Sequence, residues 1–126
     1  MYLKNSQYQE ILRLYDEKQA RQKRLLDERR REIFEKFPEY ARLEDEITGL
    51  WAAGARSMAR RDPSVSPALI SEKVRPLTDR QEQILARAGY PSDYLDLQYD
   101  CPLCRDTGFV DGKKCKCFIT AAADLL

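Results

Sequence analysis

The stretch YDCPLCRDTGFVDGKKCKCF, Tyr99 to Phe118, contains all four cysteines of a 126-residue chain. They fall as Cys-x2-Cys, at Cys101 and Cys104, and after ten intervening residues as Cys-x-Cys, at Cys115 and Cys117. The first spacing suits a tight knuckle that turns two sulfurs to one side. A tetrahedral zinc site needs four thiolates about 2.3 Å from one ion, so the second pair must fold back onto the first. Asp111-Gly112 lies within that return, and Asp-Gly is a favoured two-residue hairpin turn. The spacing therefore predicts a β-hairpin joining DTGFV to KKCKC, with Gly108 freeing the backbone close to the metal. Cys101, Cys104, Cys115 and Cys117 are the expected ligands of one structural zinc ion per chain.

Other chemistries fit less well. Four cysteines alone also admit iron or an iron–sulfur cluster. Disulfides need an oxidising compartment, and Cys115 and Cys117 are too close to pair readily with each other. A redox Cys-x-x-Cys normally sits in a strand–helix context, which is missing here. A closed four-thiolate site has no open position for water, so its expected role is to build structure. A hairpin this short cannot bury enough surface to fold alone, and the metal supplies the missing stability. Arg105, Lys113, Lys114 and Lys116 set positive charge around the excess of about −2 that four thiolates leave on Zn²⁺.

Upstream the sequence reads as helix. Ser6 to Phe37 has no Pro or Gly and is dense in Glu, Lys, Arg, Gln and Leu, all good helix formers. Its apolar positions form two patches: Tyr8, Ile11, Leu12 and Tyr15, then Leu26, Ile33, Phe34 and Phe37, with polar Gln19 and Gln22 between them. Pro38 suits the first turn of a second helix, which carries its apolar stripe to about Arg60. Pro63 and Pro67 break the pattern, and a third helical stretch runs from about Pro67 to Ala88. Pro76 should kink it. The preferred reading is one kinked helix; Thr78 with Gln81 as a capping box would make two shorter ones. Gly89 and Pro91 supply the stop.

Helices joined by short loops pack antiparallel. The expected fold is mainly α: an antiparallel three-helix, long coiled-coil-like body, followed by a small four-cysteine zinc β-hairpin module. Residues 1–90 form the helical interaction domain, 91–119 the zinc-binding hairpin module and 120–126 the start of a helix cut short.

Charge is balanced at 22 basic against 21 acidic residues, so net charge implies no nucleic-acid or anionic-membrane partner. The chain has no histidine, the commonest general base. Its five glycines form neither a GxxxxGK[ST] loop nor a GxGxxG turn, so no nucleotide is expected here. No apolar run approaches the roughly 18 residues of a membrane span, and the N-terminus lacks a signal peptide's apolar core. The expectation is a cytoplasmic protein that is not an enzyme over these residues.

The segment AGYPSDYLDLQYDCPLCRDTGFVDGKKCKC after a long charged helix resembles the N-terminal region of bacterial DnaC/DnaI-type replicative helicase loaders, the primosomal AAA+ ATP-binding proteins. The residues that carry the resemblance are Gly89 to Leu95, Tyr99, Cys101, Cys104, Asp106 to Val110, Gly112, Cys115 and Cys117. It implies a region that contacts the hexameric replicative helicase, followed by an ATPase domain that binds ATP and single-stranded DNA. The chain stops at TAAADLL without a phosphate loop, so ATPase activity is not expected of it.

The resemblance and the helical periodicity together suggest a partner surface at Tyr8, Ile11, Leu12 and Tyr15, on a helix that overhangs its neighbours; the alternative is that the third helix, or a second copy of the chain in a homodimer, covers the same patch. Two other classes stay open. A single-stranded nucleic-acid module would use Lys113, Lys114 and Lys116, with Phe109 and Phe118 stacking on bases. A chaperone-like adaptor is suggested by CPLCRDTG, which is similar to the zinc-finger repeats of DnaJ-type cochaperones, here in one copy.

Overall fold

The uninterrupted run of helix formers makes one helix, α1, of 32 residues from Asn5 to Lys36. In the computed structural model, which describes residues 3–125, Pro38 opens α2 (Pro38–Ala59) and Pro67 opens α3 (Pro67–Arg87). A two-stranded antiparallel sheet of β1 (Phe109–Val110) and β2 (Lys113–Lys114) follows, and then α4 (Lys116–Asp124). The molecule is therefore mainly helical, with one small sheet. It divides into two compact units: one takes the chain up to Glu28 together with the segment from Asp96 onward, and the other is Arg29–Leu95. The boundary falls inside α1, so the expected division at residues 90 and 119 does not match the packing.

In the second unit, α2 and α3 run antiparallel, with Gly54 against Ile70 near one end and Tyr40 against Gln81 near the other. A Cβ at Gly54 would overlap the Ile70 side chain, so the small WAAGA centre permits this close approach. Ile70, Val74 and Tyr40 are buried there. Ser66 caps α3 by accepting from the Leu69 N–H at 3.3 Å. Arg80 clamps Glu39 through two hydrogen bonds of 2.9 and 3.1 Å. Pro76 sits inside α3, which is a single helix. Gln81 is buried and donates to Glu44 at 2.9 Å, so its side chain serves the α2 contact and not a capping box. After α3, Gly89 with φ +86 and the bond from Tyr90 N–H to Leu85 C=O (3.0 Å) terminate the helix.

Only residues 29–36 of α1 belong to this unit. Ile33 is fully buried, and Phe34 lies 5.9 Å from Tyr40 between ring centroids. The expected three-helix body, with its longest helix overhanging, is thus a pair of helices joined by only the last turns of α1. The GYPSDYL segment clasps those turns. The Arg29 guanidinium stands 4.5 Å over the Tyr94 ring, Tyr94 donates its hydroxyl to Glu32, and Lys36 donates to the Tyr90 hydroxyl at 3.0 Å.

The first unit is built on the other end of α1. Ile11 and Tyr15, four apart, lie on one face of the helix and pack against Cys104, Cys115, Phe118 and Ala122. Phe118 and Ala122, also four apart, form the matching face of α4. That helix begins at Lys116 and not at residue 120, because KCFITAAAD carries helical residues directly from Cys115, whose extended backbone (φ −69, ψ 158) serves as its N-cap. Among the described residues no helix is long and apolar enough to cross a membrane.

Candidate metal centre

The hairpin is a two-residue one: Phe109 pairs with Lys114 and Val110 with Lys113, leaving Asp111-Gly112 as the loop. Both loop residues have positive φ, +52 and +77, as a type I′ turn requires. The bond from Cys115 N–H to Gly108 C=O, 2.8 Å, continues the ladder towards the cysteines.

The other cysteine pair is held by a knuckle. Arg105 N–H donates to Cys101 C=O at 2.9 Å, and both Arg105 and Asp106 take left-handed conformations, φ +54 and +59. That turn carries the Asp106 side chain inward, where it is fully buried. Its two carboxylate oxygens accept from the backbone N–H groups of Asp100 (3.1 Å) and Cys101 (2.9 Å). Thr107 fixes the far side, donating its hydroxyl to Cys104 C=O at 2.7 Å and accepting from Phe109 N–H at 3.2 Å.

These two turns bring the four sulfurs together. The Sγ atoms of Cys101, Cys104, Cys115 and Cys117 all lie within 4.8 Å of one another. Cys101 and Cys115 are 3.7 Å apart at sulfur, and Cys104 and Cys117 are 3.5 Å apart. Four thiolates at about 2.3 Å from a central ion would stand about 3.8 Å from each other. The cluster therefore fits a tetrahedral ion. Cys104 and Cys115 are buried, while Cys101 and Cys117 are partly exposed. Cys115 and Cys117 straddle the N-terminus of α4.

The individual thiols differ. The Cys104 backbone N–H directed at the Cys101 sulfur draws that thiol down to about 7. Burial pushes Cys117 up to about 12. A divalent cation between them would hold both as thiolates.

Tyr15, Lys18 and Gln19 tie α1 to this centre. The Tyr15 hydroxyl lies 2.9 Å from Cys117 Sγ, and its ring stacks on Phe118 with centroids 6.1 Å apart. Burial first, and then the Cys117 contact, raises the Tyr15 hydroxyl well above the usual tyrosine range. Gln19 donates to Asp106 C=O at 2.7 Å, and Lys18 approaches the Asp100 carboxylate at 3.9 Å. Gly108 rests on the Tyr15 ring so closely that a Cβ there would come within 2.9 Å of it.

The arrangement corrects two expectations. Tyr8, Ile11, Leu12 and Tyr15 are not an open partner surface. Ile11 and Tyr15 are buried, with Tyr8 and Leu12 packed beside them, because Phe118, Ala122 and the cysteine segment cover the stripe. Phe118 is fully buried and Phe109 packs on it, 5.6 Å between centroids, so Phe118 offers no face to a nucleic-acid base. Lys113, Lys114 and Lys116 are exposed, and the Lys114 ammonium sits over the rings of Phe118 (5.3 Å) and Tyr8 (5.8 Å). Asp106 and Gln19 were not expected to serve the site. The signals for Asp106 are its place in the motif that carries the resemblance and its residue type, since aspartate tolerates a left-handed backbone.

Compared with protein-family models, curated proteins and solved structures, the chain matches none of them.

Proposed function

We propose that these residues are the N-terminal protein-interaction region of a DnaC/DnaI-type replicative helicase loader, held together by one structural zinc ion on Cys101, Cys104, Cys115 and Cys117. The observation that carries the reading is the four-sulfur cluster set between two left-handed turns, with sulfur separations of 3.5 and 3.7 Å across its pairs. Cysteines at these spacings with all-sulfur donors suit zinc. Residues that resemble the loader motif also have structural roles in this chain. Tyr90 and Tyr94 clasp α1, Asp106 caps the knuckle, and Gly108 seats on Tyr15.

In this reading the domain is an adaptor and not a catalyst; ATP and single-stranded DNA belong to an ATPase domain elsewhere in the loader. The stripe of Tyr8, Ile11, Leu12 and Tyr15 serves the domain's own core, so helicase contact uses other, exposed surface. The test is capture of the purified hexameric helicase by the zinc-loaded protein, without ATP or DNA. Capture at near-stoichiometric ratio supports the reading. Salt-sensitive binding of single-stranded DNA through Lys113, Lys114 and Lys116, with no helicase capture, would replace it with a nucleic-acid module.

A further inference from the structure

A cysteine bound to a metal is a thiolate and has no proton to give. In the 2.9 Å contact between Tyr15 Oη and Cys117 Sγ, the hydroxyl must then be the donor once a metal is present. Cys117 thereby differs from the other three cysteines: it receives a side-chain hydroxyl from an element 102 residues away in sequence. The ring that carries the hydroxyl is fixed on several sides. Gly108 lies against it, Phe118 stacks parallel to it at an interplanar angle of 11°, and the Lys18 ammonium stands 5.3 Å from its centroid.

From this geometry we propose that Tyr15 is a positioning residue of the metal centre: its hydroxyl hydrogen-bonds the Cys117 thiolate, draws charge from that sulfur, and makes metal retention depend on the docking of α1. The inference rests on the four-thiolate metal reading above and adds an outer partner contributed by the helix. A hydrogen bond to a metal-bound thiolate delocalises its charge and lowers its nucleophilicity. Outer partners of this kind typically change metal affinity 10- to 100-fold. A ring placed only to fill space would need no hydroxyl, since Phe has the same shape and stacks equally well on Phe118.

The experiment compares the wild-type chain with Tyr15→Phe, which removes one oxygen and keeps the ring. Gln7→Ala is the comparator, because it removes an α1 contact to the Leu125 carbonyl without touching the cysteine segment. Each protein is loaded with Co²⁺, whose thiolate charge-transfer absorption reports the ligand sulfurs. Separately, the Zn²⁺ forms are treated with iodoacetamide, in which a thiolate displaces iodide, and the alkylated cysteine is located by peptide mass spectrometry. Tyr15→Phe is expected to shift the charge-transfer band, to weaken metal binding about 10-fold or more in chelator competition, and to speed alkylation selectively at Cys117. Gln7→Ala should leave the band in place. An unchanged band and an unchanged Cys117 rate in Tyr15→Phe would overturn the proposal, as would equal acceleration at all four cysteines, which marks general loosening. Failure of the wild-type chain to bind Co²⁺ through its thiolates would instead remove the metal reading itself, and the proposal with it. A slowly exchanging Tyr15 hydroxyl proton in the Cd²⁺-loaded wild-type protein supports the same conclusion without any substitution; a freely exchanging one counts against it.

Discussion

Replacing Gly108 or Gly112 by alanine separates backbone conformation from helix–hairpin contact, because the two glycines share one property and differ in the other. Both have positive φ, +87 and +77. A Cβ at Gly112 meets nothing within 4 Å, whereas one at Gly108 comes within 2.9 Å of the Tyr15 ring. Each substitution carries the left-handed penalty of an L-residue, about 1–2 kcal/mol. Gly108→Ala adds the cost of overfilling a packed contact, about 1–3 kcal/mol. Since metal binding and folding of the cysteine segment are linked, that difference should appear as a metal affinity about 5- to 150-fold weaker for Gly108→Ala than for Gly112→Ala. Competition with a chromophoric chelator measures it directly. In the Tyr15→Ala background the ring is gone, and the two alanine variants should converge. Equal effects in the presence of Tyr15 would refute the contact, and a gap that persists without Tyr15 would refute its assignment to that ring.

Ile11→Ala removes a fully buried side chain under the metal segment and should cost about 2–5 kcal/mol, read as lower stability in urea together with easier loss of metal. Asp106→Ala removes the part-buried hydrogen bonds from the Asp100 and Cys101 N–H groups, at about 1 kcal/mol each; chelator competition should show weaker metal binding, while a Glu39→Ala control should not. Gly54→Ala crowds Ile70 in the other unit, so it should lower stability by about 1–3 kcal/mol with metal affinity unchanged. Chelation followed by hydrogen exchange should strip protection from the cysteine segment, α4 and the Ile11–Tyr15 turns of α1, while α2 and α3 stay protected; equal loss across α2 and α3 would mean one cooperative unit.

The closeness of the four cysteines was legible because every determinant is local. The Cys-x2-Cys knuckle, the Asp-Gly turn and the short return each act over a few residues. The starts of α2 and α3 were legible for the same reason: Pro38 and Pro67 open them where they stand in the sequence. What covers the Ile11–Tyr15 stripe was not legible. Periodicity shows that a helix has an apolar face and says nothing about which distant segment meets it. Here Phe118 and Ala122 meet it, and they looked like the tail of a hairpin and the start of an interrupted helix. Asp106 was hidden differently. Its value lies in a left-handed backbone that aims a short carboxylate at two N–H groups, and no spacing rule records that.

The pairing of Tyr15 with Cys117 across 102 residues has a consequence for the order of events during synthesis. A ribosome adding about 5–20 residues per second delivers the partner roughly 5–20 seconds after the helix turn that needs it. Through that interval Ile11 and Tyr15 are at risk of aggregation, since the segment that shelters them has not been made. Arg29–Leu95 is contiguous and can fold meanwhile. With a metal held as proposed above, completion of the first unit then waits on the last cysteine leaving the exit tunnel and on the capture of an ion. Metal supply during translation, and not only in the finished protein, should therefore set how much of the newly made chain survives as soluble product.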